Sequence, residues 1–481
     1  MDSIRKRVFK RSLLSSAVLL SIQSSLASAG TCPPPSIDKN IHIPSSESCE
    51  GGISPNGPIN QIRIEGYVSG DVINNNGVSD LWLSSGTLDG SFINNSTVRV
   101  IDISNGATVE QDVVNKGSID KNLTIEESII TGSLVNQDSR DISGKSYGAS
   151  VKKSSIGVGI ENHGSITGKS GLQVHKSQIE ESILNSGDIE GTRNHGIVVS
   201  GNSIIKESLI NQGTITARKT GILFKNRAAT TLLENSVDGA IIANRIGIQL
   251  KNNSSVDELV NNGDILVTEP ANRHTHAGIS LEDNSTAGTI INQGEIQVHP
   301  GFEHDGEAFE DGYTANGIQV IENASSGNIE NYGTISADTY GIYIDGAVVE
   351  GNIINAEGGE IRSGDNGIYL NEAYIQGNVT SSGLIISEFD NAIDVEDSQI
   401  DGSVQVNGTL TSSTRYDALS IDDSTIIGDV LTGNVNSNTT ITGRDGIDID
   451  DTTIDGNVIS LSAINAVSDG FDFDNTHVSK T

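Results

Sequence analysis

The stretch NHGIVVSGNSIIKESLINQGTIT, residues 194–216, decides the fold. Its first apolar run alternates around Val198, its second follows a Gly-Asn-Ser corner, and its third, Thr214–Thr216, follows an Asn-Gln-Gly corner. Strict alternation is the mark of a strand with one face buried and the other in water, since successive side chains point to opposite faces. The same phrase recurs along the chain. Aligned on its small residue it reads GLQV at 171, GIVV at 196, GILF at 221, GIQL at 247, GISL at 278, GIQV at 317, GIYI at 341 and GIYL at 367. It continues as AIDV at 392, ALSI at 418, GIDI at 446 and GFDF at 470. The intervals run from 24 to 28 residues apart from two, of 31 and 39.

A period of this length is the signature of a solenoid. Three short strands and three corners in about 25 residues predict one coil of a single-stranded parallel β-helix, each strand pairing with its counterpart one coil away. A leucine-rich repeat would need a fixed leucine and asparagine framework, which is absent. The repeat is traceable back to GDVINN near residue 70, leaving room for roughly 16 coils and a rod on the order of 75 Å long at about 4.8 Å per coil. The expected division is a removable segment at 1–29, a small cap at 30–60 and an all-β helix over 61–481.

Composition agrees with a thin, continuous core. Of 481 residues 54 are Gly and 8 are Pro, and aromatics make up only 4%, so Val, Ile and Leu must fill the interior. Arg5, Lys6, Arg7, Lys10 and Arg11, an apolar run from Leu13 to Ile22 and Ala27-Ser28-Ala29 before Gly30 read as an export signal cut after Ala29. Export places Cys32 and Cys49 in an oxidising compartment, where one local disulfide stapling the cap is expected. The formal charge of −34 opposes binding of nucleic acid and of anionic lipid.

Asparagine marks one corner of coil after coil, at 115, 136, 162, 185, 211, 235, 261, 292, 331 and 355, with Gly two residues on in many of them. Stacked amides can hydrogen-bond along the axis, and the glycines are expected at positive φ. The column is structural on this reading. The two long intervals are insertions at equivalent corners of adjacent coils, about 266–277 and 298–315, and solenoid corners of this kind often carry binding surfaces.

Those insertions bring His274, His276, His299 and His304 close to several carboxylates, a set able to hold a transition metal, although no zinc spacing is matched. The acidic carboxy-terminal coils stack Asp397, Asp423 and Asp451, with Glu396, Asp422, Asp450 and Asp474 beside them. Such a ladder either faces water or recruits calcium, so Asp422, Asp423, Asp450 and Asp451 are the calcium candidates; no other cofactor is implied. Tyr343 and Tyr369 fall one coil apart, where they can cover each other. No Ser, Cys or phosphate-loop motif is present, and the Gly-His-Gly and Arg-x-Lys elements of pectin-degrading β-helices are missing, so the reading is non-enzymatic.

An export signal, a short Cys-Cys segment and irregular IxNxGxIxG and GIxV coils resemble the passenger region of a bacterial autotransporter over roughly residues 50–481. The resemblance implies a right-handed helix, an outer-membrane β-barrel translocator supplied downstream or in trans, and display at the surface of a Gram-negative cell or release from it. It also implies an adhesin or autoaggregation role, with a surface glycan, a surface protein or a second copy as partner. The chain departs from that pattern at NTHVSKT, which stops within a coil and without a barrel, and this reads as a fragment or one part of a split system. The alternatives are a secreted polysaccharide-degrading β-helix and a structural spacer.

Overall fold

A computed structural model describes residues 30–34, 39–268, 275–299, 314–434 and 439–479. The proposed export signal, His274, His304, half of the first corner insertion and most of the second lie outside these residues. Every strand pairing is parallel and joins one coil to the next, and the stack has about 17 turns roughly 25 residues apart. The described chain is therefore an all-β parallel solenoid, as its period predicts.

One coil shows how the sequence closes on itself. Ser170–His175 is the long strand, Gln178–Ile179 a two-residue strand, Ile183–Asn185 the asparagine strand and Asp188–Gly191 the closing strand. Four strands thus replace the three read from the sequence. In several middle coils the second and third fuse, as in Ile204–Asn211 and Ala229–Asn235, with an irregularity in the pairing between Ile205 and Ser208. The inward residues, mostly Ile, Val and Leu, form one continuous buried cluster from Ile41 to Ile454. β-Branched residues suit this interior because each stacks directly on its equivalent one coil away.

The asparagine strand carries a ladder of amides. Asn74, Asn94 and Asn115 begin it and Asn331 and Asn355 end it, each Nδ2 donating to the Oδ1 one coil on at 2.7–2.9 Å. All twelve are essentially buried. Aligned amide dipoles reinforce one another, and every one that donates also accepts. Beyond Asn355 the column changes to Ser381, Val406, Thr432 and Ser460.

The glycines two residues after these asparagines are not at positive φ, contrary to expectation, although Gly77 and Gly358, three residues after Asn74 and Asn355, are. A Cβ on Gly213 would lie 2.1 Å from the Gly187 carbonyl oxygen, so the requirement is close passage of neighbouring backbones. Left-handed backbone occurs instead after the long strand, at Lys153, Lys176, Asp397, Asp423 and Asp451. The glycine of each GIxV phrase answers to space as well: a Cβ on Gly196 would meet Ile215 Cγ2 at 2.3 Å.

Cys32 and Cys49 are joined by a disulfide, and Gly30–Thr31 pairs with Cys49–Glu50. The staple lies within the first turns of the stack, since Asn40–Ile43 already pairs with Gln61–Ile64. Both long intervals fall at one corner, after the closing strands Asp264–Val267 and Glu295–Val298. In the last described coil the inward Phe471 and Phe473 are 42% and 44% exposed and stack on each other at 5.9 Å.

Candidate functional site

The outward position at the centre of the long strand forms an unbroken column of eighteen residues in register, from His42 through Gln173 and Tyr343 to Asp472. The alternation predicts that this column is wet. From Ser150 to Gln319 it is buried instead, with no residue above 9% exposure. Each residue there is shielded by its equivalents one coil away, and the polar ones bond laterally. Gln249 donates to Glu282 at 2.7 Å, Gln319 to Ser280 at 2.9 Å, and Asn316 to Gln319 at 2.8 Å.

Beyond Gln319 the column opens and turns aromatic, then acidic. Tyr343 and Tyr369 stack at 5.6 Å with an interplanar angle of 16°, and Tyr340 tilts against both at 4.8 and 5.1 Å. Burial and the nearby carboxylates push all three phenols upward. Tyr369 donates to Glu396 Oε2 at 2.6 Å, and Asn366 donates to Asp394 Oδ2 at 2.6 Å. Burial, and then the charge of Asp390, raises Asp394 to about 7 against the hydrogen bonds of Asn391 and Asn366. Asp390 itself is raised to about 6, chiefly by burial.

Two coils further on Arg444 gathers three carboxylates. Its guanidinium lies 2.9 Å from Asp417 Oδ2, 2.8 Å from Asp445 Oδ2 and 3.4 Å from Asp448 Oδ2. Asp417 and Asp445 are buried and accept backbone N–H groups of the following coil, from Asp445 at 2.9 Å and Asp469 at 2.7 Å. Burial raises Asp417, whereas the Asp469 N–H and Arg444 outweigh burial and hold Asp445 low. Asp448 is pushed to about 7 by burial and by Asp417, Asp450 and Asp472, with Arg444 opposing.

The candidates read from the sequence fall elsewhere. Asp422 and Asp450 are cross-coil neighbours on the long-strand ladder, while Asp423 and Asp451 occupy exposed left-handed turns. Among the described residues, three ligand atoms come within 4.8 Å of one another in two acidic sets, Glu282–Asp283–Glu322 and Asp417–Asp445–Asp448, and neither contains those four. The second set already holds a cation, Arg444. His276 is buried at the start of a long strand. His299 is bonded through Nδ1 to Asp338 at 2.7 Å, which raises its pKa, beside a hollow of about 320 Å³ that includes Arg362 and Phe389.

Tyr340, Asp417 and Asp445 escape the GIxV alignment because each stands one place before its small residue. Reading that column, Tyr340, Asn366, Asn391, Asp417, Asp445, Asp469, exposes a second polar ladder. The class defined by fold and surface is a parallel β-solenoid with an aromatic and acidic outer face. Compared with protein-family models, curated proteins and solved structures, the chain matches none.

Proposed function

We propose that the chain is an exported, surface-displayed interaction rod of the adhesin or autoaggregation type, similar to an autotransporter passenger. The observation that carries this reading is the unbroken register of the outer column from His42 to Asp472, which fixes variable side chains in a linear array on a rigid support. The partners are a surface glycan, a surface protein or a second copy, and a β-barrel translocator brings the rod outside. No catalytic step is assigned, because Asp394 and Asp448 occupy ordinary positions of the repeat. Calcium is a candidate ligand of the exposed aspartates only, without a role in the core.

Deleting the gene is expected to reduce attachment or clumping of the source cells, and protease added to intact cells is expected to remove the protein. Unchanged attachment and clumping would sink the adhesive reading. A second reading, cleavage of acidic polysaccharide, draws on the carboxyls of Asp394 and Asp448, which are near half-protonation at neutral pH, as a general acid requires. It predicts release of reducing or unsaturated ends that the D394N or D448N variant abolishes.

A further inference from the structure

The net charge hides a strong asymmetry. Residues 116–251 hold 16 Lys and Arg against 13 Asp and Glu, whereas residues 252–481 hold 5 against 39. Four of these lysines, Lys121, Lys152, Lys225 and Lys251, lie on the long strands. At the strand end Lys152, His175, Ser200, Lys225 and Lys251 are consecutive rungs in register, one above another. At the head of this column lies a cavity of about 410 Å³ whose lining includes Lys121, Lys145, Lys152, Tyr147, Thr124 and Ser150. Among the described residues none of these three lysines makes an ion pair. Glu126, one rung before Lys152, is not within pairing distance, and Glu127 is held by Lys153 at 2.7 Å. Ammonium groups lining one cavity beside hydroxyls favour an anionic ligand. Further along the strip, His195 is depressed to about 4 by burial and by Lys225, Lys219 and Lys251, which reports the same crowding of cations.

We propose that this cavity and the basic strip running from it bind an acidic polysaccharide, the anionic groups pairing with the lysines and the sugar hydroxyls with Thr124, Ser150 and the polar rungs beyond. An extended polymer suits the geometry, because Lys152, Lys225 and Lys251 stand on one straight column whose rungs are about 4.8 Å apart, with the polar His175 and Ser200 between the first two. Nucleic acid suits it less well. Single strands are held by successive aromatic platforms, and the cavity lining offers one ring, Tyr147, already faced by Lys152 Nζ at 5.7 Å from its centroid. The proposal rests on the rod being a binding scaffold, not on where it is displayed.

The test is binding of fluorescent polygalacturonate, dextran sulfate, neutral dextran and oligodeoxythymidylate to the purified full chain, with a thermal melt to verify folding of each variant. An acidic glycan is expected to bind while dextran does not, and its affinity should weaken at least about tenfold between 50 and 200 mM salt. The order of polygalacturonate and dextran sulfate tells carboxylate from sulfate recognition. The K121Q/K145Q/K152Q variant should bind about tenfold or more weakly, and K152Q alone should show part of that loss. K206Q removes a lysine already paired with Glu180 at 2.5 Å and should stay within about twofold of wild type. Failure of the folded chain to bind either acidic glycan, an unchanged affinity in the triple variant, or tighter binding of the oligonucleotide would overturn the proposal. Glycan binding by the purified chain with unchanged cell attachment would leave this site standing and remove the adhesive role.

Discussion

Two stretches of one solenoid solve the same problem differently. From Asn74 to Asn355 the buried corner is locked by an amide in every coil, each one both donating and accepting; at the ladder's start Asn74 accepts from the Val78 N–H instead of from another amide. From Ser381 on, that corner carries Ser, Val, Thr and Ser, and polar order moves to the next corner, before the long strand, where Asn391, Asp417 and Asp445 accept the backbone N–H of the next coil at 2.8, 2.9 and 2.7 Å. The amide ladder is neutral and indifferent to pH. The aspartate ladder does similar mechanical work with groups that repel one another and need Arg444 between them. The lesson is that a solenoid tolerates a change of internal lock provided that each coil retains a satisfied donor and acceptor at a corner.

The amide ladder is most sensitive to substitution in its middle, at Asn235. Asn235→Ala deletes the acceptor of Asn211 and the donor to Asn261, both fully buried; Asn261 Oδ1 loses its amide donor and Asn211 Nδ2 is left with backbone carbonyls alone. Urea unfolding should show a loss of about 3 kcal/mol, whereas Ser381→Ala, at the end of the ladder where Asn355 reaches it at 3.3 Å, should cost about 1 kcal/mol or less. Equal losses at the two sites would mean that the amides are not coupled along the axis. Next in size is Arg444→Met. Asp417 and Asp445 would lose their shared cation while keeping their burial, for a cost of about 2 kcal/mol at pH 8 that shrinks at pH 5 as the carboxyls take up protons. A cost identical at both pH values would show that Arg444 acts by packing its stem and not by its charge.

Much of this was open to reading in the sequence, for a physical reason: a period of coils and an alternation of faces are both properties of linear order. GIVV at 196 and ILN at 183 announce their strands, and the asparagine column reports its own stacking. What depends on neighbours across the coil was not legible. Gln178–Ile179 is too short to show alternation. Gly213 looked like a turn glycine, yet its constraint is the Gly187 carbonyl, a contact between coils. The burial of Val198 and Leu223 on an outward face follows from lateral crowding that no single strand encodes. Arg444, within TGRDGID, reads as a solvated corner residue until Asp417 is brought beside it from 27 residues earlier. The basic strip was concealed by the summed charge of −34, which averages two unlike halves.

The smallest predicted effect is also the one with the least ordinary sign. Asp390, Asp394 and Asp448 are raised to about 6, 7 and 7, above the ordinary carboxylate value that they regain on unfolding. Between about pH 4 and 7 the folded chain therefore binds more protons than the unfolded one, and these groups make stability fall as pH rises through that window. An ion-paired carboxylate would do the reverse. Asp394→Asn, which can still accept the amide of Asn366, should raise the stability of the acidic coils by about 1 kcal/mol at pH 8 and leave it unchanged near pH 4. The two regions carry their own reporters. Trp82 lies in an early coil beside Arg63, and the Tyr340, Tyr343 and Tyr369 cluster lies next to Asp394. The tyrosine near-ultraviolet signal should melt at a higher urea concentration in the variant than in the wild type at pH 8, with the Trp82 transition unmoved. If both transitions shift together, the solenoid unfolds as one unit and the contrast between the two kinds of lock is local chemistry without independent stability; if only the tyrosines move, the acidic coils form a separate cooperative segment.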